Sequence, residues 1–241
     1  MVWKRAWWIA KYNLNQSKKG YVLSVLFNLY FSFFIGMALR RVLEQQPGEH
    51  EWGDYLMQDI LMLTSVSVMG FVMSKEYRNY WNSDTITKKL AYMRSLPIRI
   101  EELVLGRFQT LFVCLFAFAP ILYIPLYFVA GFGSHLSIVH YVEWAITWLG
   151  IGASIGGMYV VTEMGWSGKH YFWFCMASMI GIVLLGVMGA VIGVSYVKAT
   201  IELVEDYGVL IPALSLIAAL LLTRLWMKLT ERRLRTRDYA R

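Results

Sequence analysis

Residues 74–107, SKEYRNYWNSDTITKKLAYMRSLPIRIEELVLGR, form the longest polar interval in a chain otherwise built of long apolar runs. Seven of them are basic: Lys75, Arg78, Lys88, Lys89, Arg94, Arg99 and Arg107. A basic segment with a membrane-length apolar run on either side reads as a loop between two membrane-crossing helices. The interval also has internal design. Pro97 disfavours the α region for Leu96, which predicts an extended segment there. Pro97 itself suits the first position of a helix. Glu101 and Glu102 then fall in the first turns, where the N-terminal dipole favours negative charge. The spacing predicts a short helix over 96–103, and apolar sequence resumes at Phe108.

Outward from this loop, apolar runs cover about 21–39, 55–73, 108–129, 142–161, 171–197 and 208–226. Each is long enough to cross a hydrocarbon core of ~30 Å at ~1.5 Å per residue. With 58% hydrophobic and only 16% charged residues among 241, the composition is that of a polytopic membrane protein. The net charge of +7 would suggest nucleic acid if it lay on a soluble surface. Here it is topological. Six spans put both termini on one side, and that side collects twenty of the Lys and Arg residues against three on the other. The positive-inside rule makes the side with twenty cytoplasmic. The fold class is therefore an all-α membrane protein with a single transmembrane domain over 1–241, both termini in the cytoplasm.

Before the first run, residues 1–20 place Trp3, Ala6, Trp7, Ala10 and Leu14 at helical spacing, with Lys4, Lys11, Asn15 and Lys18 on an adjoining face. This predicts an interfacial amphipathic helix, tryptophans inward and lysines on anionic lipid phosphate. The charged, aromatic start and the length of the first run read as a retained segment rather than a cleaved signal. The external segments are short and acidic, and 198–207 reads as a small re-entrant or surface helix. The tail, 227–241, is basic and extends the sixth span, serving as a topology anchor or a lipid contact. Cys114 and Cys175 fall inside apolar runs and read as small buried residues rather than a disulfide.

Glycine spacing is the clearest packing signal in the runs. Gly152 with Gly156, and Gly189 with Gly193, form Gly-x-x-x-Gly pairs that let helix backbones approach closely. They serve a dimer seam, a sliding face or static packing within the chain. Pro120 and Pro125 are placed to kink the third run. Asn28, Ser32, Thr64, Ser65 and Ser67 form a faint polar stripe suited to interhelical hydrogen bonds or a pathway. His50, His135, His140 and His170 are scattered, so no metal site is expected, and no nucleophile and base stand at catalytic spacing.

The run MRSLPIRIEELVLGR resembles the loop before the third span in permease subunits of bacterial ABC transporters of the second exporter type. Leu96, Pro97, Ile98, Leu105, Gly106 and Arg107 carry the likeness, and the span pattern extends it over nearly the whole chain. The resemblance implies a coupling helix that docks on a separate ATPase subunit, with Arg94, Leu96, Pro97, Ile98, Arg99, Glu101 and Glu102 as coupling residues. It implies candidate pathway residues at Asn28, Ser32, Thr64 and Ser67, a second permease copy or sister permease, and a bacterial cytoplasmic membrane. ATP and magnesium would sit on the partner ATPase, not on this chain. The charge pattern agrees with an external motor. The cores of the runs hold no Asp, Glu, Lys, Arg or His, with Asp59 and Glu163 at edges and Arg224 near enough to the surface to snorkel. The chain also has no Gly-x-x-x-x-Gly-Lys-Ser/Thr phosphate loop. The alternative is a six-span interaction protein, an immunity, sensory or assembly factor, with no transport activity.

Overall fold

A computed structural model of the protein describes residues 2–16, 18–44, 52–73 and 84–237. Every regular element among these residues is helical. In chain order they are α1 (Val2–Gln16), α2 (Lys18–Glu44), α3 (Trp52–Val68), α4 (Thr85–Ser95), α5 (Ile100–Val129), a 3-10 turn (Phe132–Ser134), α6 (Ile138–Gly165), α7 (Gly168–Ile192), α8 (Tyr196–Tyr207) and α9 (Leu210–Thr236). Five of them, α2 from Gly20, α5, α6, α7 and α9, are long and apolar enough to cross a membrane. The protein is thus an all-helical, multi-pass membrane protein.

The second apolar run behaves differently from its neighbours. Its helix, α3, has 17 residues, or about 25 Å at 1.5 Å per residue, and stops before the run does. Gly70 ends it by packing under Leu111, where any Cβ would collide with the leucine side chain. The chain continues non-helically to Met73, whose N–H donates to Ser24 Oγ of α2 at 3.0 Å. Packed against α2, α6 and α7, α3 buries Asp54, Gln58, Asp59, Thr64, Ser65 and Ser67 along with its apolar residues. A helix so enclosed by protein tolerates polar groups that a lipid-facing one would not.

At the centre of the bundle is α6, the most buried of the five long helices, whereas α9 is the least. Its glycines explain how it reaches so many partners. A Cβ on Gly152 would meet Val66 Cγ1 of α3 at 2.8 Å, and one on Gly156 would meet Leu111 Cδ1 of α5 at 3.0 Å. On the next face, a Cβ on Gly157 would meet Trp226 Cδ1 of α9 at 2.5 Å. The first glycine pair thus serves packing within the chain. The second pair divides. Gly189 makes room for the turn into α8, with Val194 O 2.7 Å from where its Cβ would be. Gly193 is not a packing residue. It ends α7 in the left-handed conformation (φ 76°), and a Cβ there would meet nothing; glycine is favoured because that conformation strains other residues.

The 198–207 stretch is the helix α8, and a buried carboxylate holds it. Asp59 Oδ1 accepts from Val197 N at 3.0 Å and from Ser195 Oγ at 2.9 Å, while Oδ2 accepts from Tyr196 N at 2.9 Å. Three donors at a helix N-terminus are what a buried carboxylate requires. Thr200 Oγ1 then accepts from both Trp144 Nε1 (3.0 Å) and Trp148 Nε1 (3.1 Å) of α6. Pro120 and Pro125 lie inside α5, which continues through both. Cys114 and Cys175 are free thiols, Cys114 buried.

If the α6 glycines set helix spacing, Gly157→Leu overpacks the seam with α9 and costs about 1–3 kcal/mol. Gly181 of α7, with nothing within 4 Å of its Cβ position, serves as the control. Thermal unfolding of the purified protein in detergent should fall by roughly 5 °C or more for Gly157→Leu and hardly move for Gly181→Leu. Equal shifts would contradict the packing assignment.

Candidate functional site

The described half of the 74–107 interval begins with Asp84, which caps two helices at once. Its Oδ1 accepts from Thr87 N at 3.2 Å, closing the first turn of α4, and from Gly168 N at 3.0 Å, the first residue of α7. Residues 74–83, with Lys75 and Arg78, lie outside the described residues. Ile86, Leu90 and Met93 recur at helical spacing and bury one face of α4, packing with Leu103 and Val104 of α5 and Met164 of α6. Lys88, Tyr92 and Arg94 are exposed on the other faces of α4.

After α4 the structure departs from the expected helix over 96–103. Leu96 is extended (φ −85°, ψ 156°), as a residue before proline should be, but Pro97 starts no helix. Ile98 N turns back to donate to Leu96 O at 2.7 Å, and α5 begins at Ile100 with Arg99 as its N-cap. The start is fixed by Glu102, whose carboxylate accepts from Arg99 N at 3.3 Å, the acidic half of a capping box. From there α5 runs unbroken to Val129, so the helix bearing Glu101 and Glu102 is itself the apolar helix. The separate short helix of this loop is α4, one element earlier.

The seven proposed coupling residues therefore split. Leu96 and Pro97 are exposed, Ile98 is half-buried, and Arg94, Arg99 and Glu101 are exposed. Glu101 reaches Arg235 of α9 at 3.3 Å. Glu102 is 3% exposed and faces Arg5 of α1 at 3.6 Å as well as capping α5, more than the dipole role the sequence suggests. Leu96, Pro97, Tyr92 and, from α1, Trp8 and Tyr12 border an open, largely apolar groove of about 740 Å³.

Behind the groove stands a buried ion pair. Arg107 of α5 grips Glu163 of α6 in a fork, Nη2 to Oε2 at 2.6 Å and Nε to Oε2 at 3.1 Å, with both side chains 11% exposed. The guanidinium also lies 5.0 Å from the Phe71 ring centroid. The end of α9 closes the same region. Arg237 donates to Met164 O at 2.6 Å and to Thr87 Oγ1 at 2.5 Å, and Arg233 lies 4.9 Å over the Trp166 ring. The loop is thus tied to α5, α6, α7 and α9 by charged and capping contacts. Of these ties, only the Asp before α4 and the Glu in the first turn of α5 have a local sequence signal. The pairing of Arg107 with Glu163, 56 positions away, has none beyond two charges at the edges of apolar runs.

The candidate pathway residues lie together between α2 and α3. Asn28 and Ser67 border a cavity of about 270 Å³ with Tyr159 and Tyr171. Their side chains bond their own helices, Asn28 Nδ2 to Ser24 O at 2.8 Å and Ser67 Oγ to Leu63 O at 2.7 Å, rather than each other. The hydroxyls of Ser32 and Thr64 are buried without a hydrogen-bond partner. Among the described residues, no three His, Cys, Asp or Glu side chains converge as metal ligands would. No family model matches the chain, and neither curated proteins nor solved structures show a significant match to it.

The Arg107 and Glu163 pair yields a test by double-mutant cycle. Arg107→Met or Glu163→Leu alone strands a buried charge and should cost about 3–5 kcal/mol. The double change removes both charges and should be less destabilised than the sum of the singles by roughly 0.5–3 kcal/mol. Thermal unfolding in detergent reads the cycle, and additive effects would show that the two charges are uncoupled.

Proposed function

We propose that the chain is the permease subunit of a bacterial ATP-driven exporter, working as a dimer of two copies or with a sister permease, and driven by separate ATPase subunits. The observation that carries this reading is the exposed pair Leu96 and Pro97. It stands beside an open apolar groove, on a link whose flanking helices are both anchored in the bundle. A push on that link reaches α5 directly, α6 through Arg107 and Glu163, and α7 through Asp84. Such a connection is what a membrane subunit needs in order to be moved by a soluble motor.

In this reading α3 is the second of six spans, short because the turn at Gly70 completes the crossing. The basic end, with α4, the groove and both termini, faces the cytoplasm, as the distribution of Lys and Arg requires. The acidic outer helix α8 faces the other side. The membrane is the bacterial cytoplasmic membrane. Nucleotide and magnesium bind the ATPase, and this chain contributes position and movement rather than chemistry. The cavity at Asn28 and Ser67 lies on the proposed pathway.

Leu96→Asp is the direct test, because Leu96 is exposed and its replacement leaves the bundle intact. Ile98→Asp is less clean, since half-buried Ile98 also packs against the core of this end. Docking a carboxylate in an apolar groove costs several kcal/mol, so co-purification of the ATPase subunit should fall about 100-fold and export should stop, with membrane yield unchanged. Full retention of partner and export by Leu96→Asp would leave the link a mere connector and favour the interaction-protein alternative.

A further inference from the structure

The N-terminal helix packs along α5. Its small residues face protein: Ala6 and Ala10 are fully buried, and a Cβ on Gly106 of α5 would meet Ala6 O at 2.8 Å and Ile9 Cβ at 2.9 Å. The contact between Arg5 and Glu102 fixes the same seam. Trp3 and Trp7, grouped with the alanines by spacing, are split from them. Trp3 and Trp8 are 70% and 78% exposed, and Trp7 is half in the open. The approach is close because Gly106 lets the α1 backbone at Ala6 and the Ile9 side chain come against α5.

Pinning α1 along that line leaves a groove of about 650 Å³ beside it, bordered by Trp3, Lys4, Trp7, Gln109, Phe112 and Val113. Its two ends differ in chemistry. Lys4 stands at the end near the start of α5 and the other cations of the basic end. Phe112 and Val113 lead into the apolar length of α5 that continues to Val129. Between them the Gln109 amide oxygen is buried with no hydrogen-bond partner. A cation, the indoles of Trp3, Trp7 and Trp8, and an apolar track complement a phosphate, a glycerol ester region and an acyl chain.

We propose that this groove binds one anionic glycerophospholipid. Its phosphate pairs with Lys4, and one acyl chain lies along Phe112 and Val113. Because α1 is locked to α5 at Gly106, the lipid braces the helix that also borders the larger groove at Leu96. The inference needs only that the protein spans a membrane and does not depend on the exporter reading.

Native mass spectrometry of the full chain in mild detergent, titrated with phosphatidylglycerol or with phosphatidylcholine of the same acyl chains, tests it. The wild type should hold one phosphatidylglycerol with at least tenfold preference. Lys4→Glu should lose that preference, and Val113→Trp, which fills the track without changing charge, should expel the lipid. Lys228→Glu, an exposed cation on α9 away from the groove, should bind as wild type does. Thermal unfolding without added lipid should be unchanged in Lys4→Glu. Equal binding of the two lipids, loss of binding in Lys228→Glu as much as in Lys4→Glu, unaltered binding in Val113→Trp, or a lipid-free dimer that excludes lipid from the groove would each overturn the proposal.

Discussion

Close approach to α6 is the constraint on which the remaining packing depends. Three helices meet it at glycines: α3 at Gly152, α5 at Gly156 and α9 at Gly157. In hydrocarbon, helices gain little from hiding apolar surface from one another, so association rests on close van der Waals contact and a few polar bonds. A Cβ at any of these positions would come within 3.0 Å of a neighbouring side chain, which would have to shift. Around the seam so defined, α3 can be enclosed on several sides, and enclosure is what lets it carry Gln58 and Asp59 at all. Asp59 in turn caps α8 and holds it across one end of the bundle.

Polar contacts do the same work at the opposite end, where the loop has to be held without the help of length. Asp84, Glu102, Glu163 and Arg237 each join elements far apart in the chain: α4 to α7, α5 to α1, α6 to α5, and α9 to both α6 and α4. Their partners are backbone donors, a backbone carbonyl or a forked guanidinium, geometries that make charge-assisted hydrogen bonds directional. The result is an end in which Leu96 and Pro97 are exposed while the helices that carry them are held in the bundle. That combination of a free contact and a rigid mount supports the reading of a mechanically driven subunit.

Much of the architecture is legible in the sequence because lipid imposes a simple rule. Long apolar runs become helices, and five of the six hold a helix long enough to cross a membrane, although the run 171–197 breaks at Gly193. The second does not, since Gly70 and the bond from Met73 N to Ser24 Oγ are tertiary events that hydropathy cannot register. Glycine spacing correctly marks Gly152 and Gly156, but it cannot separate Gly193, whose role follows from a positive φ rather than from a neighbour. At the loop, proline chemistry is right about Leu96 and misleading about the helix start, because Glu102 reaching back to Arg99 outweighs the fitness of Pro97 for a first turn. Helical spacing likewise cannot tell which residues of α1 face protein. Trp7 and Ala6 are adjacent, and only the position of Gly106 decides between them.

The central claim is that Leu96 touches an ATPase. A photoreactive phenylalanine at position 96, compared with one at exposed Leu203 on α8 at the other end of the bundle, tests it in cells. Irradiation should join position 96, and not position 203, to a protein bearing a Walker-type phosphate loop, with a yield that changes when nucleotide turnover is trapped by vanadate. Equal cross-linking from both positions, or none from 96 in cells that express the assembled proteins, would contradict the account.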